Sequence, residues 1–218
     1  MHQLLDIFHA LTDPNWISAH GGLYIVMFIV FAETGLFVGF FLPGDSLLFI
    51  TGMIIANTTT ANPTGNVYLN MLYWILLITV CGIIGNLIGY WYGNKFGHML
   101  MKRKDNFLFK KKHIQDAHEF YEKKGGMAIF LARFVPIVRT FAPIVGGMAD
   151  MNYKKFVYYN ILGCLAWVVS MTMAGFLLGE NVWVKKNLEI IVVGMIVVTT
   201  APVLFKMFFG KKKADPQV

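Results

Sequence analysis

Two long apolar stretches of this chain are each interrupted by proline, and each keeps its only charges close to the interruption. Residues 22–42 are apolar except for Glu33 and Thr34, then Pro43-Gly44-Asp45-Ser46 intervenes, and residues 47–56 resume the run. Met127 to Met148 holds Arg133, Pro136, Arg139 and Pro143 and closes on Gly146-Gly147. Ionisable side chains are costly at bilayer depth, where they line an internal pathway or site. The resumed run, about ten residues, is too short for a hydrocarbon core of ~30 Å at about 1.5 Å rise per residue. A helix, a break and a second helix that enter and leave on one face satisfy that length. The expected breaks are Pro43 and Gly44 in the first stretch and Pro136 and Pro143 in the second, because each proline removes a backbone donor and collides with the preceding turn.

Composition agrees with a bilayer setting. Of 218 residues 56% are hydrophobic and 14% charged, with mean hydropathy +0.57, where a soluble domain has roughly 25% charged. The expected fold class is all-α: a polytopic integral membrane protein with about three to four full transmembrane helices and two re-entrant helix-break-helix hairpins. A net charge of +7 raises the question of nucleic acid, and its placement answers against it. No Lys or Arg precedes Lys95, nine fall between Lys95 and Lys124, and Lys206, Lys211, Lys212 and Lys213 lie near the C-terminus. Short basic loops face the cytoplasm, which puts both basic regions, and the C-terminus, there.

The remaining segments fall into order around the two hairpins. Residues 1–20 lack a basic n-region and read as an amphipathic segment at the interface rather than a cleaved signal. Residues 21–180 form the membrane domain, 181–210 a C-terminal transmembrane helix and 211–218 a basic cytoplasmic tail. Within the domain, Met71 to Tyr92 and Phe156 to Leu178 are full spans, and Leu188 to Phe208 is the last one. Gly82, Gly85, Gly89, Gly93 and Gly97 mark one side of the first span, where small residues let another helix approach closely. Counting back from a cytoplasmic C-terminus brings the second hairpin in from the cytoplasm and the first from the opposite face, the layout of an inverted repeat. The equal spacing of Ala32-Glu33 to Pro43 and Ala132-Arg133 to Pro143 echoes it. Cys81 and Cys164 lie in apolar segments without a CxxC partner and read as inert thiols.

The four charges define the chemistry. Arg133 and Arg139 are six apart, about 120° off a common face of a continuous helix, and a break at Pro136 allows both to converge. Two convergent arginines in a low dielectric favour a bidentate anion, and phosphate is the best geometric match. Glu33 and Asp45 are twelve apart across their own break, and a hairpin brings them to comparable depth. A purely structural salt-bridge role is the competing reading. Enzymes are disfavoured: His2, His9, His20, His98, His113 and His118 all lie outside the membrane-depth segments, so Ser46 lacks a base, and His113 and His118 do not have the spacing of a helical metal pair. No cofactor and no metal is expected.

At these residues the chain resembles the DedA family, whose eukaryotic relatives carry the SNARE-associated (VTT) domain. The first signature is Phe31-Ala32-Glu33-Thr34-Gly35-Leu36 with Phe41-Leu42-Pro43-Gly44-Asp45-Ser46. The second runs through Arg133, Pro136, Arg139, Pro143, Gly146-Gly147, Met148, Phe156, Asn160, Gly163 and Trp167, and Gly85 to Gly93 resembles the glycine-rich span between them. Many members have Asp where this chain has Asn86 and a basic residue where it has Asn94, which leaves a third titratable group on that span in question. The resemblance implies a bacterial inner-membrane flippase that moves lipid between leaflets, with undecaprenyl phosphate and the proton motive force as the expected substrate and drive, Arg133 and Arg139 as substrate-binding residues and Glu33 and Asp45 as proton-coupling residues. A phospholipid scramblase and a proton-coupled transporter of small solutes or cations are the alternatives. Membrane lipids and protons are the implied partners, and a homo-oligomer stays open.

Overall fold

The computed structural model describes residues 16–17, 22–35, 44–57, 65–101, 125–179 and 181–187, with single positions at 119, 121, 123, 190, 191 and 194. The expectations for residues 1–15, for Pro43, for the basic tail and for most of the basic connection and the Leu188 to Phe208 span lie outside the described residues. Among the described residues these helices follow in order: α1 Leu23–Gly35, α2 Gly44–Asn57, α3 Val67–Met101, α4 Met127–Ala132, α5 Pro136–Met148, α6 Tyr153–Leu178 and α7 Val182–Lys186. No strand occurs among the described residues.

Local chemistry accounts for the helix ends. Asn66 caps α3 by accepting from the Tyr68 amide at 2.9 Å, and Asn152 caps α6 by accepting from Lys155 at 3.1 Å. Between α4 and α5 the chain closes through short-range bonds from Arg133, Phe134 and Val135 to the carbonyls three residues earlier. Val135 is then extended (φ −117°, ψ 108°), as the residue before a proline is pressed to be, and Pro136 restarts the helix where its missing N–H would have been unpaired anyway. Pro136 is thus a break, but Pro143 is not. It sits inside α5, which runs on to Met148. The expectation of a second break there is corrected: an interior proline forfeits one backbone bond, and neighbouring helices within a bundle make that loss tolerable.

Among the described residues two helices are long and apolar enough to cross a membrane, Val67–Gly97 and Tyr153–Leu178. The first extends well beyond the expected Met71 to Tyr92. The two short arms α1 and α2, of 13 and 14 residues, reach only about 20 Å each. α1 packs on α3, and α4 on α6, while α2 lies along α6 and α5 along α3. Glycines set those crossings. A Cβ on Gly93 or Gly97 would strike the backbone of Ile144 or Met148, one on Gly147 the Tyr90 carbonyl, and one on Gly175 the Phe49 carbonyl. The glycine-marked side of α3 therefore serves helix packing.

The bundle keeps an apolar core but also turns apolar side chains outward and buries several polar ones. Leu72, Leu76 and Val80 on α3 and Ile161, Leu165 and Leu177 on α6 face outward, whereas Asn70, Asn86, Asn160 and Thr172 are buried. Outward apolar faces suit lipid, and polar groups must find partners inside. Both cysteines are free, and the Cys164 thiol donates to the Thr79 carbonyl at 3.4 Å.

Candidate functional site

Glu33 near the end of α1, Asp45 in the first turn of α2, Arg133 in the α4–α5 break and Arg139 on α5 are all buried, and the fold brings them to one cluster. Arg139 divides its planar fork between two acids. Its Nη1 donates to Asp45 Oδ1 at 2.5 Å and its Nη2 to Glu33 Oε1. Trp167 of α6 completes this end: its indole N–H donates to Asp45 Oδ1 at 2.7 Å, and its ring lies 4.7 Å from the Arg139 guanidinium carbon. Gly44 leaves room for Glu33, since a Cβ there would overlap the carboxylate, and so Glu33 sits against the positive N-terminal end of α2. Glu33 Oε2 and Arg139 Nε have no hydrogen-bond partner among the described residues.

Arg133 is differently held. It is 2% exposed and makes no ion pair among the described residues. Its Nη2 donates to Asn160 Oδ1 at 2.9 Å, and its guanidinium carbon lies 5.8 Å from the Trp167 ring. Asn86 of α3 joins it. With its oxygen toward Arg133, Asn86 accepts from Nη1 at 3.2 Å while its nitrogen donates to the Thr34 carbonyl at 3.3 Å. The opposite orientation donates to Asn160 Oδ1 at 2.6 Å but sets an amide N–H against a guanidinium that can only donate; the first removes that conflict and leaves the two carboxamide oxygens side by side, 2.6 Å apart, both turned toward Arg133. Gly163 admits the Arg133 stem to α6, where a Cβ would stand 3.1 Å from it.

The structure thus unites all four charged residues expected from the sequence. It also qualifies their arrangement: both guanidinium groups approach one indole, but Arg139 is already engaged by both carboxylates. Asn86, Asn160 and Trp167 complete the site, and no role was read for them beforehand. Their signal was polarity within full spans, which helix packing explains equally well. Among the described residues no group of acids, histidines and cysteines is arranged to hold a metal.

An all-helical chain with two bilayer-length apolar helices and a buried cluster of opposed charges is a membrane protein with an internal ionic site. Comparison makes that specific. The model of the VTT domain matches residues 42–177, which include every site residue except Glu33. Protein DedA of Escherichia coli (strain K12) is 40% identical over 193 residues, covering 88% of this chain and 85% of that protein. An uncharacterized membrane protein of Mycobacterium tuberculosis (strain ATCC 25618 / H37Rv) is 36% identical over 200 residues, covering 89% and 85% respectively. Inner membrane protein YqjA of Escherichia coli (strain K12) is 33% identical over 177 residues, covering 80% and 74%. The chain belongs to the VTT-domain (DedA) family of membrane proteins. No solved structure matches it.

Proposed function

We propose that this protein is a proton-coupled flippase for an anionic lipid of the bacterial inner membrane, with undecaprenyl phosphate as its substrate and no enzymatic step. One observation carries the reading: a buried arginine with no carboxylate at ion-pair distance among the described residues lies beside one that has two. Burying an ion costs several kcal/mol, a loss that a purely structural pairing would have removed by matching each arginine with an acid. A phosphate headgroup supplies the missing charge at Arg133, while its isoprenoid tail stays in lipid. Protonation of Glu33 or Asp45 frees the Arg139 fork to join the same phosphate, and deprotonation restores the pairing and ejects it.

The two broken segments act in this scheme as re-entrant hairpins of an inverted repeat, entering from opposite faces with the C-terminus cytoplasmic. Support comes from the crossed packing, in which each first arm lies on the span that follows it and the second arms exchange spans. The cluster sits where the two pairs meet, as transporter sites do. The proposed test is reconstitution of the full chain in liposomes containing undecaprenyl phosphate under an imposed pH gradient. Transport that needs the gradient and is lost in Arg139→Lys, whose ammonium cannot reproduce the fork, supports the reading. Transport of the lipid at the original rate by that variant refutes the clamp. A proton-coupled transporter of small solutes or cations is the second reading, favoured by Glu33 Oε2 and Ser46 Oγ, two buried oxygens of the kind a cation binds that have no hydrogen-bond partner among the described residues. Proton flux that ignores the lipid phosphate would select it.

A further inference from the structure

We propose that Asn86, with Asn160 beside it, is the positioning residue that keeps Arg133 available to an anionic headgroup, by fixing the guanidinium without cancelling its charge; this inference rests on the flippase reading above. The argument begins from the ways a buried guanidinium can be held. A carboxylate at hydrogen-bond distance would fix it and also neutralise it, as Glu33 and Asp45 do to Arg139. A carboxamide oxygen offers the same acceptor geometry with no net charge. Both side chains facing Arg133 at that distance are carboxamides, from two different helices, α3 and α6. Each is itself anchored, Asn86 to the Thr34 carbonyl at 3.3 Å and Asn160 to the Ile83 carbonyl at 3.4 Å, so neither is free to turn away.

The consequence is a cation aimed by rigid neutral groups. Two carboxamide oxygens do not exhaust the five N–H donors of a guanidinium, so donors remain for a ligand. Orientation of the fork matters for phosphate more than for a point charge, because two parallel N–H bonds must meet two oxygens. The charged and titratable groups that act on Arg133 are Glu33 on α1, Arg139 on α5 and the Cys164 thiol on α6, and Asp45 on α2 lies beyond Arg139. Glu33 and Asp45 both pair with Arg139, so among the described residues no carboxylate stands at ion-pair distance from Arg133.

The discriminating variant is Asn86→Asp, nearly identical in shape, which adds a carboxylate against Arg133. The measurement is binding of farnesyl phosphate, a short isoprenoid phosphate, to the purified full chain in detergent, each variant referred to the wild type. The expected result is binding weakened at least about tenfold in Asn86→Asp, because the carboxylate pairs with the guanidinium, and reversed toward the wild-type value in Asn86→Gln, which keeps a neutral acceptor. An equal loss in Asn86→Gln, in a protein that still melts cooperatively, makes Asn86 a packing residue and overturns the proposal. Unchanged binding in Asn86→Asp, together with loss in Arg133→Gln, also overturns it while leaving the site reading intact. Unchanged binding in Arg133→Gln as well overturns the site reading itself. A parallel titration with inorganic phosphate separates the ligand sources. The same pattern seen there assigns the site to phosphate in general and removes the lipid from the argument, whereas binding of farnesyl phosphate alone supports a lipid.

Discussion

The two arginines of the site are six residues apart and equally buried, yet their surroundings are opposite. Arg139 meets two carboxylates and an indole ring, and Arg133 meets two carboxamides and, at a longer distance, the same ring. The first is an ionic network in which one guanidinium joins two carboxylates that would otherwise repel. The second is a charge held by neutral groups, with no carboxylate at ion-pair distance among the described residues. The difference teaches that burial alone does not define a site: Arg139 can be explained by stability, whereas Arg133 asks for a ligand.

The contrast is most exposed to test by removing each arginine. Arg139→Ala strands Glu33 and Asp45 together and should cost about 3–5 kcal/mol of stability, read as a lowered melting temperature in detergent, with transport abolished. Arg133→Met removes a charge that has no ionic partner and fills similar volume. It should leave the melting temperature unchanged or raised while still abolishing transport. Equal destabilisation by both substitutions would erase the distinction.

Smaller effects sharpen it. Trp167→Phe keeps an aromatic ring near both guanidinium groups but deletes the indole donor to Asp45, and about 1.5–3 kcal/mol is expected from loss of a hydrogen bond to a charged acceptor. Its effect on farnesyl phosphate binding should be weaker than that of Arg133→Met, because the deleted bond belongs to the Arg139 network. Gly93→Val drives a side chain into the Ile144 carbonyl and should cost roughly 1–3 kcal/mol at the α3–α5 crossing. Gly175→Val should cost a similar amount at the α2–α6 crossing if the two are structural counterparts, and circular dichroism melts of the pair decide it. At the lower limit, Lys123→Ala breaks an exposed pair with Glu119 at 3.8 Å, and a change within about 0.5 kcal/mol is expected.

Much of this was legible from the residues. Hydropathy marked the spans, because lipid exposes the apolar faces of helices that must cross it. The residue before Pro136 fell at a break for a steric reason local to two residues, and the same reasoning failed at Pro143, where packing of α5 against α3 outweighs one missing backbone bond. The four charges stood out because so few others lie in the apolar segments. The carboxamides did not, since Asn in a span signals equally a packing contact and a site.

What the chain determined on its own, then, was its solvent, its breaks and the identity of the ions placed beside them, all properties of short windows of sequence. Only the folded bundle decided which ion meets which. Arg139 finds Asp45 across 94 residues and Glu33 across 106, while Arg133 finds Asn160 instead of an acid. Those choices follow from which helices cross and how closely their glycines let them approach, and no window of sequence contains that distance.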